Sequence, residues 1–168
     1  TTRPETMLGD VAVAVHPDDQ RYRDLIGKEV RLPLTDRTIP VIADHYVDPE
    51  FGSGCLKITP AHDFNDYEVG QRHSLPLINI LSPGAAIELP GSPYHVFDLS
   101  AARHLLVVDL ADAQLFDKIE HYPLSLPRAY RSQSVLEPYL PSQSFLRIPP
   151  LAWPPLAPVH SCPLPFVP

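Results

Sequence analysis

Gly52-Ser53-Gly54-Cys55-Leu56-Lys57-Ile58-Thr59-Pro60-Ala61-His62-Asp63-Phe64-Asn65-Asp66 is the stretch on which the fold turns. A Gly-Ser-Gly turn leads into a strand-like run from Cys55 to Thr59, and Pro60 ends it because proline has no N–H to donate. Asp63 then stands as the N-cap of a helix read from Asp63 to His73. Lys57 and Thr59 alternate along the strand and face one side. Asp63 and Asp66 are three apart and share the start of the helix. A strand end followed by a helix start is a common place for a pocket. Two carboxylates there suit an ammonium and a hydroxyl. They equally suit helix capping and a favourable charge at the positive end of the helix dipole.

Upstream, Asp10 to His16 alternates valine with alanine, which predicts a buried strand. Pro17-Asp18 is read as the start of a short helix that Gly27 caps after Leu25-Ile26. Glu29 to Leu34 and Thr38 to Ala43 read as strands separated by a turn at Thr35-Asp36. Downstream, Leu77 to Leu81 and Ala85 to Leu89 are strand candidates. Ser100 to Phe116 is the longest helical stretch, with Leu105, Val108, Leu115 and their neighbours supplying its apolar stripe. Ile119 to Leu126 and Ser134 to Leu136 are further strand candidates. Strands outnumber helices, which predicts an α+β fold with a barrel-like or strongly curved sheet and peripheral helices.

The chain has 168 residues, enough for one domain with its own core. Nine of its 22 prolines fall after Leu140, so the end of the chain is expected to be extended rather than packed. This divides the sequence into 1–127 and a proline-rich segment 128–168. Cys55 and Cys162 make neither a disulfide framework nor a Cys-x-x-Cys pair, which points to a reducing compartment. No apolar run is long enough to span a membrane. The start, Thr1 to Thr6, has no initiator Met and no apolar core of a signal peptide, so the chain is read as part of a longer protein. A formal net charge of −7 is the wrong sign for a stand-alone nucleic-acid binder. If the chain handles RNA, another part of a larger protein grips it.

Thr1-Thr2-Arg3-Pro4-Glu5-Thr6 gathers three hydroxyls, a guanidinium and a carboxylate around a stiffening proline. Such a strip can hold phosphate or ribose oxygens and orient a water. It also reads as an exposed polar strand end or a helix cap. A metal centre drawn from His62, Asp63, Asp66 and His73, with Asp44 and His45 nearby, lacks any recognised ligand spacing. No metal and no cofactor are expected. There is no nucleophile elbow around a serine, no glycine-rich phosphate loop, and Cys55 sits in a strand-like run.

Two blocks together carry a family likeness. T-T-R-P-E-T followed by G-D-V-A-V-A-V-H-P, and G-C-L-K-I-T-P-A-H-D-F-N-D-Y-E-V-G with R-H after it, closely resemble valyl-tRNA synthetase, in the editing domain inserted into its catalytic core. The likeness is dense from Thr1 to Leu81. It continues through Phe97 to Arg103, Pro127-Arg128, Arg131-Ser132 and Val135 to Pro138. Tyr130 stands where the family has a polar residue, and Gln143-Ser144 where it has an aromatic Gln-Trp pair.

The resemblance implies a β-barrel-like editing domain of the class I synthetases, hydrolysing threonine from mischarged tRNA(Val). It implies that Arg3, Glu5 and Thr6 lie against the terminal adenosine and the ester. Asp66 would hold the α-ammonium, and Lys57, Thr59 and Asp63 would meet the threonine hydroxyl. Thr6 and Asp66 are the expected catalytic residues. The implied partners are the tRNA(Val) acceptor end carrying threonine and the remainder of the synthetase, with no membrane. The implied location is cytoplasmic, with a mitochondrial one left open. Neither ATP-site signature of a synthetase, H-I-G-H-like or K-M-S-K-S-like, occurs in these residues, so the chain itself should make no aminoacyl-adenylate. The alternatives from other classes are a non-catalytic module that binds the tRNA acceptor end or an amino acid, and a structural fragment whose proline-rich end docks on a partner.

Overall fold

The computed structural model describes residues 1–141 and 143–148. Four strands form one mixed sheet: β1 (Ala12–Val15), β2 (Glu29–Arg31), β3 (Thr38–Ala43) and β4 (Cys55–Ile58). Two helices follow, α1 (Phe64–Arg72) and α2 (Leu99–Asp112). The strand order is β2-β3-β1-β4. β1 is interior, parallel to β3 with Val13 opposite Val41, and antiparallel to β4 with Val13 opposite Lys57. Its Ala-Val-Ala-Val sequence suits a strand covered on both sides. β2 alternates exposed and half-buried residues, as an edge strand does. Pro40 is tolerated inside β3 because the N–H of the next residue, Val41, points to β2 and bonds Lys28 O. The missing donor of Pro40 therefore faces β1 one position ahead of the first β1–β3 pair.

The α+β class holds. The barrel does not close: β2 and β4 are the two edges and do not pair with each other among the described residues.

Two apolar clusters stabilise the chain. One places Val69 of α1 against Val11, Ala12, Ala14, Val47 and Ile58 of the sheet and its flanks. The other packs Ala102 and Leu106 of α2 on Leu8, Ile80, Leu81, Ile87 and Tyr94. Each fully buried leucine or isoleucine contributes about 1.5–3 kcal/mol. α1 sits unusually close to the end of β4. A Cβ on Gly70 would lie 2.8 Å from the Pro60 ring, so glycine there lets the helix rest on the proline that ends the strand. Among the described residues no helix is long and apolar enough to cross a membrane.

Several local expectations fail for identifiable reasons. The α2 stripe is Leu99, Ala102, Leu106 and Leu110, whereas Leu105, Val108 and Leu115 are exposed. Leu105-Leu106-Val107-Val108 is apolar all round, so the period is legible but its phase is not. The segment after Pro17 forms turns and only a 3-10 turn at Arg23–Leu25. Asp19 takes the Arg21 N–H at 3.0 Å, a local bond that competes with helix. Gly27 does not cap a helix; its N–H bonds Val41 O and opens the β2–β3 pairing.

Residues 77–81 and 85–89 share a single bridge, Leu81 to Ile87. The N–H of Ile80 goes to a histidine ring rather than a strand partner, and Ala85 turns left-handed at φ 60°. Residues 119–126 are exposed throughout and form no strand. Ser134 to Leu136 gives one bridge, Arg128 to Val135. The proline-rich tail from 149, with Cys162, lies outside the described residues.

Candidate functional site

The site forms where the first 3-10 turn (Pro4–Gly9), the start of β1, the end of β4 and the start of α1 meet. The antiparallel pairing of β1 with β4 brings Asp10 beside Lys57 and Thr59. The Lys57 ammonium donates to Asp10 Oδ1 at 3.1 Å, Thr6 Oγ1 at 3.0 Å and Thr59 Oγ1 at 2.5 Å. Thr6 gives its proton to Arg3 O at 3.0 Å, and Thr59 gives its proton to Asp10. Every N–H of the ammonium and both hydroxyl protons are thus committed within the cluster. The hydroxyl oxygens accept from Lys57. Thr6, Asp10 and Thr59 are buried and Lys57 is half-buried.

Asp66 closes the other side. It is 7% exposed, and its Oδ2 accepts the Thr59 N–H at 2.8 Å. Oδ1 has no partner among the described residues. Burial pushes the Asp66 carboxyl up to about 6, with the negative Asp63 and Asp10 adding to the rise and the Thr59 N–H and Lys57 opposing it. Burial likewise raises Asp10, against the pull of Lys57 and Thr59. Two buried carboxylates and one ammonium leave the site one negative charge in excess when both acids are ionised, which favours a cationic ligand. Asp63 is the α1 N-cap, accepting from Asn65 N–H at 2.8 Å and Asp66 N–H at 3.2 Å.

The remaining expected residues stand one step back. Arg3 donates to His62 O at 2.6 Å and pairs with Glu137. The Glu5 carboxylate is 2% exposed and takes a two-pronged bond from Arg103 of α2 at 2.9 and 2.8 Å. Arg3 and Glu5 therefore brace the 3-10 turn against neighbouring elements, while Thr6, Lys57, Thr59 and Asp66 converge.

The residues drawn as metal ligands separate. The His62 ring is fully buried; its Nε2 accepts the Ile80 N–H at 3.0 Å, so Nδ1 carries the proton and faces Pro138 O at 3.4 Å. Burial holds His62 neutral, with a pKa of about 4. His73 and Arg72 instead clamp Asp44, at 2.9 Å from each. Through Arg3–Glu137 and His62–Pro138 the segment after Pro127 touches the site. Asp10 is the member that sequence reading passed over. Its signal was an acid at the mouth of an otherwise apolar strand.

Residues 25–90 match the family model for the editing domain of leucyl-tRNA synthetase. Over its whole length the chain is 56% identical to the valine–tRNA ligase of Coxiella burnetii, 55% to that of Legionella pneumophila strain Lens, and 53% to that of Francisella tularensis. In each case it spans 18% of the relative's length, as an inserted domain does. By these matches and by the two sequence blocks that build its polar cluster, the chain belongs to the valyl-tRNA synthetase family, as the editing-domain segment.

Proposed function

We propose that this cluster hydrolyses the ester of threonine mis-attached to tRNA(Val). The observation that carries the reading is the buried Asp10–Lys57–Thr59–Thr6 network beside an Asp66 carboxylate with one oxygen uncommitted. Asp66 Oδ1 would take the α-ammonium through a charge-assisted bond. The threonine hydroxyl would join the Thr59–Lys57 network. Asp63, which holds Asp66 by capping α1, and the 3-10 turn bearing Arg3, Glu5 and Thr6 would set where the ribose and ester lie.

Discrimination follows from polarity. An apolar synthetic site cannot strongly reject an isostere that adds a hydroxyl, and valine against threonine is the standard illustration of that limit. A polar second site inverts the preference: the threonine hydroxyl replaces a bond of the network that the substrate displaces, whereas valine leaves the displaced partner buried and unpaired at about 1–3 kcal/mol.

An aminoacyl ester is already activated, so a positioned water suffices, and positioning contributes several kcal/mol. His62 is unsuited as general base, since both ring nitrogens are engaged and its pKa is low. Thr6 would orient the water or a ribose hydroxyl, and the tRNA ribose hydroxyl can assist the proton transfer. The rest of the synthetase would hold the tRNA, in keeping with the chain's −7 charge.

The test is release of amino acid from Thr-tRNA(Val) and Val-tRNA(Val) by the 168-residue chain. Hydrolysis of the threonyl ester alone supports editing. Binding of the acceptor end with no hydrolysis of either would replace it with a non-catalytic module.

A further inference from the structure

β1 and β3 run parallel, with Val15 opposite Ala43, and the Asp44 N–H bonds Val15 O at 3.0 Å beyond the last strand pair. The topology therefore delivers His16 and His45, 29 positions apart in sequence, to the same end of the sheet. Their rings pack edge to face with centroids 5.2 Å apart. The turn after Pro17, closed by Asp19 N–H on His16 O at 3.0 Å, folds Asp18 back over His16. There the Asp18 N–H reaches His16 Nδ1 at 3.2 Å.

One ligand-capable atom from each of His16, Asp18 and His45 lies within 4.8 Å of the other two. We propose that these three side chains form a binding site for a single divalent transition-metal ion of the zinc class.

Two imidazoles and one carboxylate are a donor set for zinc, nickel or copper rather than for magnesium or calcium, which take oxygen ligands. Bonds of about 2.0–2.2 Å to a common ion need the three groups to draw slightly inward. Asp18 and His45 are exposed and free to do so. Three protein ligands leave a fourth position for water.

The neighbouring charges permit it. Arg21 is held by Asp19 at 2.6 Å and by Pro49 O at 2.7 Å. Asp44 is committed to Arg72 and His73. Glu50 lines the same open cleft of about 540 Å³ as His16 and Asp18, adding a further negative charge. Six residues of extended chain, about 20 Å, separate His16 from Asp10, so this site is distinct from the Lys57 cluster.

The test is titration of the 168-residue chain with zinc chloride against a chromophoric chelator, with the cobalt(II) absorption spectrum as a second readout. The expected result is one equivalent bound, weakened about tenfold or more in His45→Ala and in His16→Ala. Affinity should be unchanged in His104→Ala, an exposed histidine of α2. Saturating zinc should raise Tm in the parent chain and raise it less in His45→Ala. Because His45 is exposed, that variant separates ligand loss from misfolding. No binding in the parent chain, or equal affinity in the parent, His16→Ala and His45→Ala, overturns the proposal.

Discussion

The backbone N–H of Thr59 donates to the Asp66 carboxylate at 2.8 Å, joining the end of β4 to the first turn of α1. The bond orients a buried acid whose other oxygen has no partner among the described residues. It only partly offsets the cost of burying the charge, and the Asp66 pKa stays near 6. A carboxyl whose folded pKa lies above its value of 3.8 when exposed stabilises the fold below about pH 4. That contribution is lost as pH rises to about 6. Holding Asp66 ionised at neutral pH then costs roughly 3 kcal/mol. Asp66→Asn keeps an acceptor for Thr59 and removes the charge, so at pH 7.5 its Tm should rise, as thermal denaturation followed by circular dichroism will read. An unchanged or lowered Tm would mean that the carboxylate is not under strain.

The same group sets a pH dependence for turnover. If ionised Asp66 binds the substrate ammonium, deacylation should climb through about pH 6 and level off above it. Stopped-assay rates between pH 5 and 8 check this, and a flat profile across that range would remove Asp66 from the binding step.

Lys57 and Asp10 should be strongly coupled. Lys57→Met leaves Asp10 buried without its counter-ion and should cost about 3–5 kcal/mol. Lys57→Met combined with Asp10→Asn should recover part of that loss, because no unpaired charge remains. Urea denaturation of the two single variants and the double variant gives the coupling energy. Additive losses would contradict the network.

Gly70 should behave unlike an ordinary helical glycine. Alanine normally gains about 1 kcal/mol at such a position. Here its Cβ would meet the rigid Pro60 ring at 2.8 Å, so Gly70→Ala should lower Tm and move α1, with Asp63 and Asp66, away from Thr59. A stabilised Gly70→Ala would show that the approach of α1 to Pro60 is looser than described.

Acid should loosen the far end of α1. Burial would raise the Asp44 pKa, but the Arg72 fork, the Tyr46 N–H and His73 outweigh it and bring it to about 2. A depressed folded pKa gives stability present above about pH 4 and lost as pH falls towards 2. Since Arg72 is half exposed, solvent screening holds the effect to about 1 kcal/mol. Asp44→Asn should lose that increment at pH 7 and flatten the fall in Tm between pH 4 and 2.

What could be read from the sequence was whatever neighbouring residues decide. Pro60 stopping β4, Asp63 capping α1 and the shared face of Lys57 and Thr59 are all local, and all appear in the structure. What could not be read depended on pairing across the chain. Asp10 is an unremarkable strand-leading acid until β1 meets β4 and sets it under the Lys57 ammonium. Glu5 stands as an acid of the Thr1–Thr6 strip, and its pairing with Arg103 shows only once α2 packs beside that strip. Ile80 looked like part of a strand until His62 took its N–H. The apolar run at Leu105 to Val108 offered α2 two phases, and only packing on Leu8, Ile80, Leu81, Ile87 and Tyr94 chose one. His16 and His45 come together solely because β1 and β3 are parallel neighbours.

The most direct test of the proposed editing reaction is the rate of threonine release from Thr-tRNA(Val) at pH 7.5 by the parent chain and by Asp66→Asn, both shown to be folded. Rapid release by the parent is expected, with a loss of at least about a hundredfold in the variant, in line with losing a charge-assisted bond of about 3 kcal/mol. Equal rates in the two proteins would contradict it.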